Sequence, residues 1–356
     1  MNPSKYPSIG QFRNIIKDVQ NNARFVGVDE NNEPIFDITK KAPTLTFTGT
    51  VKLHGTNAGI QFNFNDVGDF KCQSRTNIIT PESDNAGFAS YVHYNREAYI
   101  DLFGEIEDQI SDTLAVNPEF YGAVLYGEWC GGSIQKGVGI NGLPKMFVVF
   151  GIKLLSDDPE KPNIWLSDNF LKEVVQDNSK INLYNIFTFG EWKIDIDFDQ
   201  PVQSQNILID YTVAVEKECP VAKYFGIENG TGEGLVWTYD NGKEVYRFKV
   251  KGELHSISKV RTLAAVDIDK VNSINELVSN IVTENRLNQG LDYLKENKIG
   301  LDVQNTGAFI KWVGSDIIKE EFDTILGCGF EIKEVMGPVS KKAKTWYFEN
   351  IFTAGV

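Results

Sequence analysis

The segment Thr48–Gly59, TGTVKLHGTNAG, completes the run TLTFTGTVKL that starts at Thr44, in which polar and apolar residues alternate with a period of two. That period reads as a β-strand with one buried face. On such a strand Lys52 and His54 share one face, Val51 and Leu53 take the other, and Gly55 lets the backbone pass close to a ligand. An isolated K-x-x-G also describes an exposed lysine before a turn, so its meaning depends on the rest of the chain.

The same alternation returns in AGIQFNF and DFKCQSR, and the segments YGAVLYGEW, KMFVVFGIK, YNIFTFG and EWKIDI also read as strands. Residues 234–251, GLVWTYDNGKEVYRFKVK, are two alternating strands around an Asn-Gly turn and predict a β-hairpin. Helical spacing appears at 11–20, at 85–110 through Phe88, Tyr91, Val92, Tyr99, Leu102, Phe103 and Ile106, at 167–177 behind a Ser167 or Asp168 cap, and at 203–218. Beyond about residue 262 the strand pattern fades, and 272–285, 286–296, 313–326 and 339–351 read as helices. The expected fold class is α+β, with an antiparallel-sheet domain over 1–265 and a small all-helical domain over 266–356.

The 356 residues suit one large domain with a smaller one, and 42% hydrophobic with 24% charged residues is an ordinary globular composition. The longest apolar runs, such as Met146–Phe150, are too short to span a bilayer, and MNPSKYPSIG has no signal-peptide core. Cys72, Cys130, Cys219 and Cys328 are scattered and only 3 histidines are present, which indicates neither a disulfide framework nor a zinc site. A cytoplasmic protein without membrane association is expected. The net charge of −14 argues against non-specific coating of nucleic acid, and leaves room for a local basic track at Lys249 and Lys251, at Lys259 with Arg261, or at Lys341, Lys342 and Lys344.

In order and spacing, TGTVKLHGTN, CQSRTN, LYGEWCGG, FVVFGIK, EGLVWTY and RFKVKG resemble the motif series of the covalent lysyl-nucleotidyltransferases, which comprise polynucleotide ligases and mRNA capping enzymes. The K-x-H-G-T-N form looks most like the RNA ligase 2 family, typified by the bacteriophage T4 nick-sealing enzyme, and Ile134-Gln-Lys136 adds to the likeness. The resemblance implies an ATP-grasp-like nucleotidyltransferase domain and places the adenylated nucleophile on Lys52. It places a sugar- or phosphate-contacting arginine on Arg75, the ribose-binding carboxylate on Glu128, the adenine-stacking aromatic on Phe147 or else Phe150, and a metal-positioning carboxylate on Glu233. His54 and Asn57 would line the reactive phosphate. Lys249 and Lys251 would hold the triphosphate, and their period-2 spacing directs both ammonium groups at one anion. A lysine attacks only as the neutral amine, so its ordinary pKa of about 10.4 has to be overcome by neighbouring cations, metal or burial. The chain departs from the family pattern at Gly151, where an acidic residue is common, and in lacking a basic residue just before Lys52.

The resemblance implies ATP as substrate, Mg²⁺ or Mn²⁺ as the metal, and nicked duplex RNA or an RNA/DNA hybrid as partner, for a monomer working in RNA repair, in a host cytoplasm if phage-encoded. Two other readings stay open: a nucleic-acid end-binding module without catalysis, and a capping guanylyltransferase, which would be expected to append an OB-fold rather than helices. Two structural expectations follow. A chain ending near residue 266 should still form lysyl–AMP and should lose sealing. The hairpin should use a three-residue loop, Asp240-Asn241-Gly242, with positive φ at Gly242 and Tyr239 opposite Lys243, unless Glu233 lies just outside the ladder.

Overall fold

The computed structural model describes residues 3–114, 120–135, 137–156, 158, 160–255 and 274–351. The chain forms two compact units. One comprises Met1–Ser8, Phe47–Ile194 and Tyr211–Tyr246; the other comprises Ile9–Thr46, Asp195–Asp210 and Arg247–Val356. The helical C-terminal region therefore shares a unit with segments from the start and middle of the chain, rather than following a single cut near residue 265. That cut itself falls at residues outside those described.

The first unit is built on a seven-stranded sheet in the order Ile164–Trp165, Met146–Ser156, Phe120–Cys130, Gly55–Asn63, Asp66–Ser74 and Ile78–Ile79, with Leu183–Asn185 added parallel to Met146–Ser156. The other neighbours are antiparallel. One face carries Ala58, Ile60, Phe62, Leu125 and Trp129, all buried. Helices cover it: Phe103 stacks on Phe62 at 4.7 Å and Phe88 packs on Phe147 at 4.9 Å.

The helix expected over 85–110 is two, Phe88–Tyr94 and Arg96–Leu114. It starts late because both Asp84 carboxylate oxygens take backbone amides, from Ala89 at 2.8 Å and Ser90 at 2.9 Å, so residues 84–87 form an entry turn. Ser167 caps the short helix Asp168–Val174, as expected. The segment YNIFTFG is a strand only as far as Asn185. Its Oδ1 then accepts the Phe187 amide and opens a 3₁₀ turn over Ile186–Phe189.

The hairpin differs from expectation in its loop. Gly242 has φ of 81°, but Asn241 N–H donates to Glu244 O at 3.3 Å and the rings of Tyr239 and Tyr246 stack at 6.0 Å, so Tyr239 meets Tyr246 and not Lys243. Side chains move the turn along: Asp240 accepts the Gly242 amide, and Asn241 accepts those of Lys243 and Glu244. The strand begins at Gly234, and Glu233 lies outside the ladder, where alternation does not constrain it.

In the second unit the helix Phe12–Arg24 buries Phe12, Ile15 and Val19, and Phe12 packs on Phe248 at 4.9 Å. Gly10–Gln11 pairs in parallel with Phe248–Lys249. The C-terminal helices run Ile274–Ile281, Glu284–Glu296, Thr306–Gly327 and Ile332–Ile351 around Leu277, Ile281, Leu287, Phe309, Ile317 and Tyr347. The third and fourth start earlier than their periodicity suggests, and the fourth takes Pro338 inside it. Among the described residues no helix is long and apolar enough to cross a membrane.

Candidate active site

Lys52 ends the strand Thr44–Lys52, opposite Gly234 of the antiparallel neighbour. Glu233, one residue before that partner, is thereby delivered to the lysine. The Lys52 Nζ lies 2.7 Å from Glu233 Oε2, and His54 Nδ1 lies 3.3 Å from the same oxygen. The Glu233 side chain is 1% exposed and that of Lys52 is 21% exposed, so the carboxylate is buried while the amine stays reachable. Lys52 and His54, two residues apart, thus converge on one acid, although the strand itself ends at Lys52.

The chain re-enters a sheet at Gly55, whose N–H donates to Glu128 Oε1 at 3.0 Å. A Cβ at residue 55 would stand 2.4 Å from the Trp129 carbonyl oxygen, which is why glycine occupies this position. Asn57 pairs with Glu128, and Glu128 with Val148, so these three form a cross-strand row on one face. The Asn57 Oδ1 is buried and accepts no hydrogen bond among the described residues. Arg75 is exposed and follows the pair Ala58–Ser74 by one residue, at the strand end beside Asn57.

Phe147 does not join this row. It pairs with Trp129, which pairs with Thr56, and this row points to the opposite, helix-covered face. Its ring is fully buried against Phe88. Phe150 instead packs on Tyr6 at 4.9 Å within a cluster containing Tyr126 and Trp165. The aromatic adenine platform expected in FVVF is therefore not brought together with Glu128 at Phe147. Lys136, Lys259 and Arg261 lie outside the described residues.

The next row on the Glu128 face was not legible in the sequence. Gln73, Gly59, Tyr126 and Gly151 lie side by side, and the N-terminal segment is bound over them. Gln73 exchanges two hydrogen bonds with the Ser4 backbone, at 3.1 and 2.7 Å, and Tyr126 Oη donates to Ser4 O at 2.9 Å. Burial pushes the Tyr126 hydroxyl up to about 12 and pulls the Lys153 ammonium below its ordinary range. The segment around Ser4 and Tyr6 has no periodicity from which this docking could be read.

In the second unit Lys249 and Lys251 alternate with buried Phe248 and Val250, so the two lysines share a face, as expected. Lys249 Nζ is paired with Glu320 Oε1 at 2.9 Å, on the helix Thr306–Gly327. Gln11, in register with Lys249, donates to Glu320 Oε2 at 2.5 Å. Burial works to raise the Glu320 carboxyl, but the charge and hydrogen bond of Lys249, the Gln11 amide and the Arg286 charge outweigh it, and the group titrates below its ordinary value of 4.5.

Among the described residues no three His, Cys, Asp or Glu side chains converge as a protein-only metal cage. A Mg²⁺-like ion needs only one or two carboxylates when phosphate oxygens and water complete its shell.

A model of the RNA ligase family matches residues 45–251, more than half of the chain. The chain belongs to the RNA ligase family. The matched span runs from before Lys52 to Lys251 and so takes in every residue singled out above from the sequence motifs. A search of curated proteins finds no match. Among solved structures, this RNA ligase family chain is similar to a Naegleria gruberi RNA ligase point mutant with AMP and Mn, at 16% identity and a TM-score of 0.42 over 70% of this chain and 56% of that one. It is likewise similar to another point mutant of the same enzyme with ATP and Mn, at 16% identity and 0.42 over 71% and 56%, and to that ligase with PPi, at 17% and 0.38 over 70% and 57%. The match spans just over half the length of those chains.

Proposed function

We propose that this chain is an ATP-dependent RNA ligase of the RNA ligase 2 type, joining 5′-phosphate and 3′-hydroxyl ends through a covalent lysyl–AMP. The observation that carries the proposal is the placement of Lys52. Its amine is reachable and is oriented by the buried Glu233 carboxylate at 2.7 Å, and its strand leads straight into the Gly55–Glu128 bond.

In the first step Lys52 Nζ, having lost a proton, forms a bond to the α-phosphorus of ATP as the α–β oxygen bridge breaks and pyrophosphate leaves. The ammonium proton points at Glu233, so the carboxylate that fixes the amine also sits where the proton departs. Glu128, braced by Gly55, holds the ribose hydroxyls, and Asn57 with its unsatisfied Oδ1 lines the phosphate path. Arg75, Lys249 and Lys251 neutralise phosphate oxygens. AMP then passes to the RNA 5′-phosphate, and the 3′-hydroxyl displaces it to close the phosphodiester. A divalent ion held through Glu233 would supply charge neutralisation on the phosphates. The substrate is nicked duplex RNA or an RNA/DNA hybrid, met in part by the exposed Lys341 and Lys344, and the protein works as a monomer.

The test is to incubate the full chain with labelled ATP or GTP, denature it, and look for label on protein. Label from ATP that is abolished by Lys52→Ala supports the ligase. Label from GTP indicates a capping enzyme, and no label indicates an end-binding module. Full labelling of Lys52→Ala removes the assignment.

A further inference from the structure

Glu320 belongs to no motif, yet it is the carboxylate that Lys249 meets. Its side chain is 5% exposed against 20% for Lys249, and both of its oxygens are engaged, Oε1 by Lys249 and Oε2 by Gln11. Because Gln11 and Lys249 are register partners on paired strands, the three side chains close a triangle with a fixed base.

The helix that carries Glu320 is anchored independently of Lys249. The next residue, Glu321, takes Arg13 at 3.3 Å and Arg286 at 3.2 Å, and Arg286, fully buried, also reaches Asp316 at 2.9 Å. Arg13 donates in addition to Thr324 Oγ1 and to the Glu320 carbonyl. Were Lys249 drawn away, Glu320 would keep Gln11 as donor and Arg286 as a nearby positive charge, so the carboxylate would not be stranded.

We propose that Glu320 is a positioning residue for Lys249: it holds the ammonium while no nucleotide is bound and is exchanged for phosphate oxygens when ATP arrives. This rests on the reading of Lys249 as a phosphate ligand given above. Glu320 and the triphosphate then compete for one cation, and the C-terminal helix tunes ATP affinity without touching ATP.

The test is the ATP dissociation constant of the full chain, measured by titration calorimetry, for wild type, Glu320→Gln, Glu320→Asp, Lys249→Met and the Lys249→Met/Glu320→Gln pair. The amide of Glu320→Gln still accepts the Lys249 hydrogen bond but removes the competing charge; Glu320→Asp keeps a charge for folding and is one methylene too short to hold Lys249. Both are expected to bind ATP more tightly, Glu320→Gln by roughly fivefold, the scale of one ion pair. The gain should vanish in the Lys249→Met background, which a merely structural role of Glu320 would not produce. Folded variants with unchanged or weakened ATP binding, or the same gain without Lys249, overturn the proposal. Its failure is distinct from failure of the ligase reading, which is decided by labelling at Lys52.

Discussion

The amide of Gly55 and the carboxylate of Glu128 meet at 3.0 Å across a strand pair, tying the chain just past Lys52 to the strand that carries the expected ribose ligand. Gly55→Ala would thrust a Cβ to 2.4 Å from the Trp129 carbonyl oxygen, a backbone atom with nowhere to go. The variant is expected to lose about 1–3 kcal/mol of stability. Urea unfolding measures that loss, and the ATP-labelling assay should show a parallel drop at temperatures where the variant is still folded.

Glu233→Gln keeps the shape of the site but removes the charge that both Lys52 and His54 approach. Loss of a charge-assisted hydrogen bond in a buried setting should slow label transfer by between about ten- and a hundredfold. Single-turnover labelling with saturating ATP reads this directly, and wild-type rates would remove Glu233 from the chemistry.

Removing Glu321 leaves Arg13 and the fully buried Arg286 short of their shared carboxylate. Glu321→Ala is expected to destabilise by about 3–5 kcal/mol. Glu191→Ala, which breaks the exposed Lys172–Glu191 pair, should cost less than about 1 kcal/mol. Denaturant midpoints of the two variants side by side give the comparison.

A chain cut after residue 265 loses Glu320 and Glu321 together, and with them the partners of Lys249 and Arg13. Sparing of lysyl–AMP formation, the expectation from motif positions alone, is therefore replaced by its opposite. Labelling should fall at least roughly tenfold along with sealing, because Arg13 and Gln11 lose the helix that holds them beside the Lys249 strand, which outweighs the release of Lys249 from Glu320. Full labelling by the truncated protein would show that the helices serve sealing alone.

The Glu320 carboxyl is held below its ordinary value of 4.5, so it contributes stability above the unfolded-state value and loses it as pH falls through the lower, folded one. The acid limb of the stability profile below about pH 4.5 should be shallower in Glu320→Gln than in wild type. Urea midpoints measured from pH 6 downward provide the test.

Much of this architecture could be read from period and composition. Alternation located the strands at 44–53, 58–64 and 69–75, and the Lys52–His54 spacing implied a shared direction in which Glu233 is then found. What escaped was set by single side chains or by distant partners. Asp84 delays a helix, Asn185 turns a strand into a 3₁₀ turn, and Asp240 with Asn241 relocates the hairpin loop. Phe147 lies on the covered face because strand parity, counted from Trp129, overrides its place in a motif. The Glu320–Lys249 pair joins residues 71 apart, beyond the reach of any local pattern.

The second unit draws its residues from three stretches of chain, and Arg13 finds Glu321 across a separation of 308 residues. During synthesis the N-terminal helix emerges long before the helix that neutralises it, a wait on the order of 15–60 s at ordinary elongation rates. For that interval Phe12, Ile15 and Val19 have no finished unit to enter. The first unit's sheet, encoded mostly between residues 47 and 194, is available to form ahead of it. Birth order on the ribosome thus runs opposite to completion order: the helix Phe12–Arg24, translated ahead of the first unit's sheet, is enclosed after it.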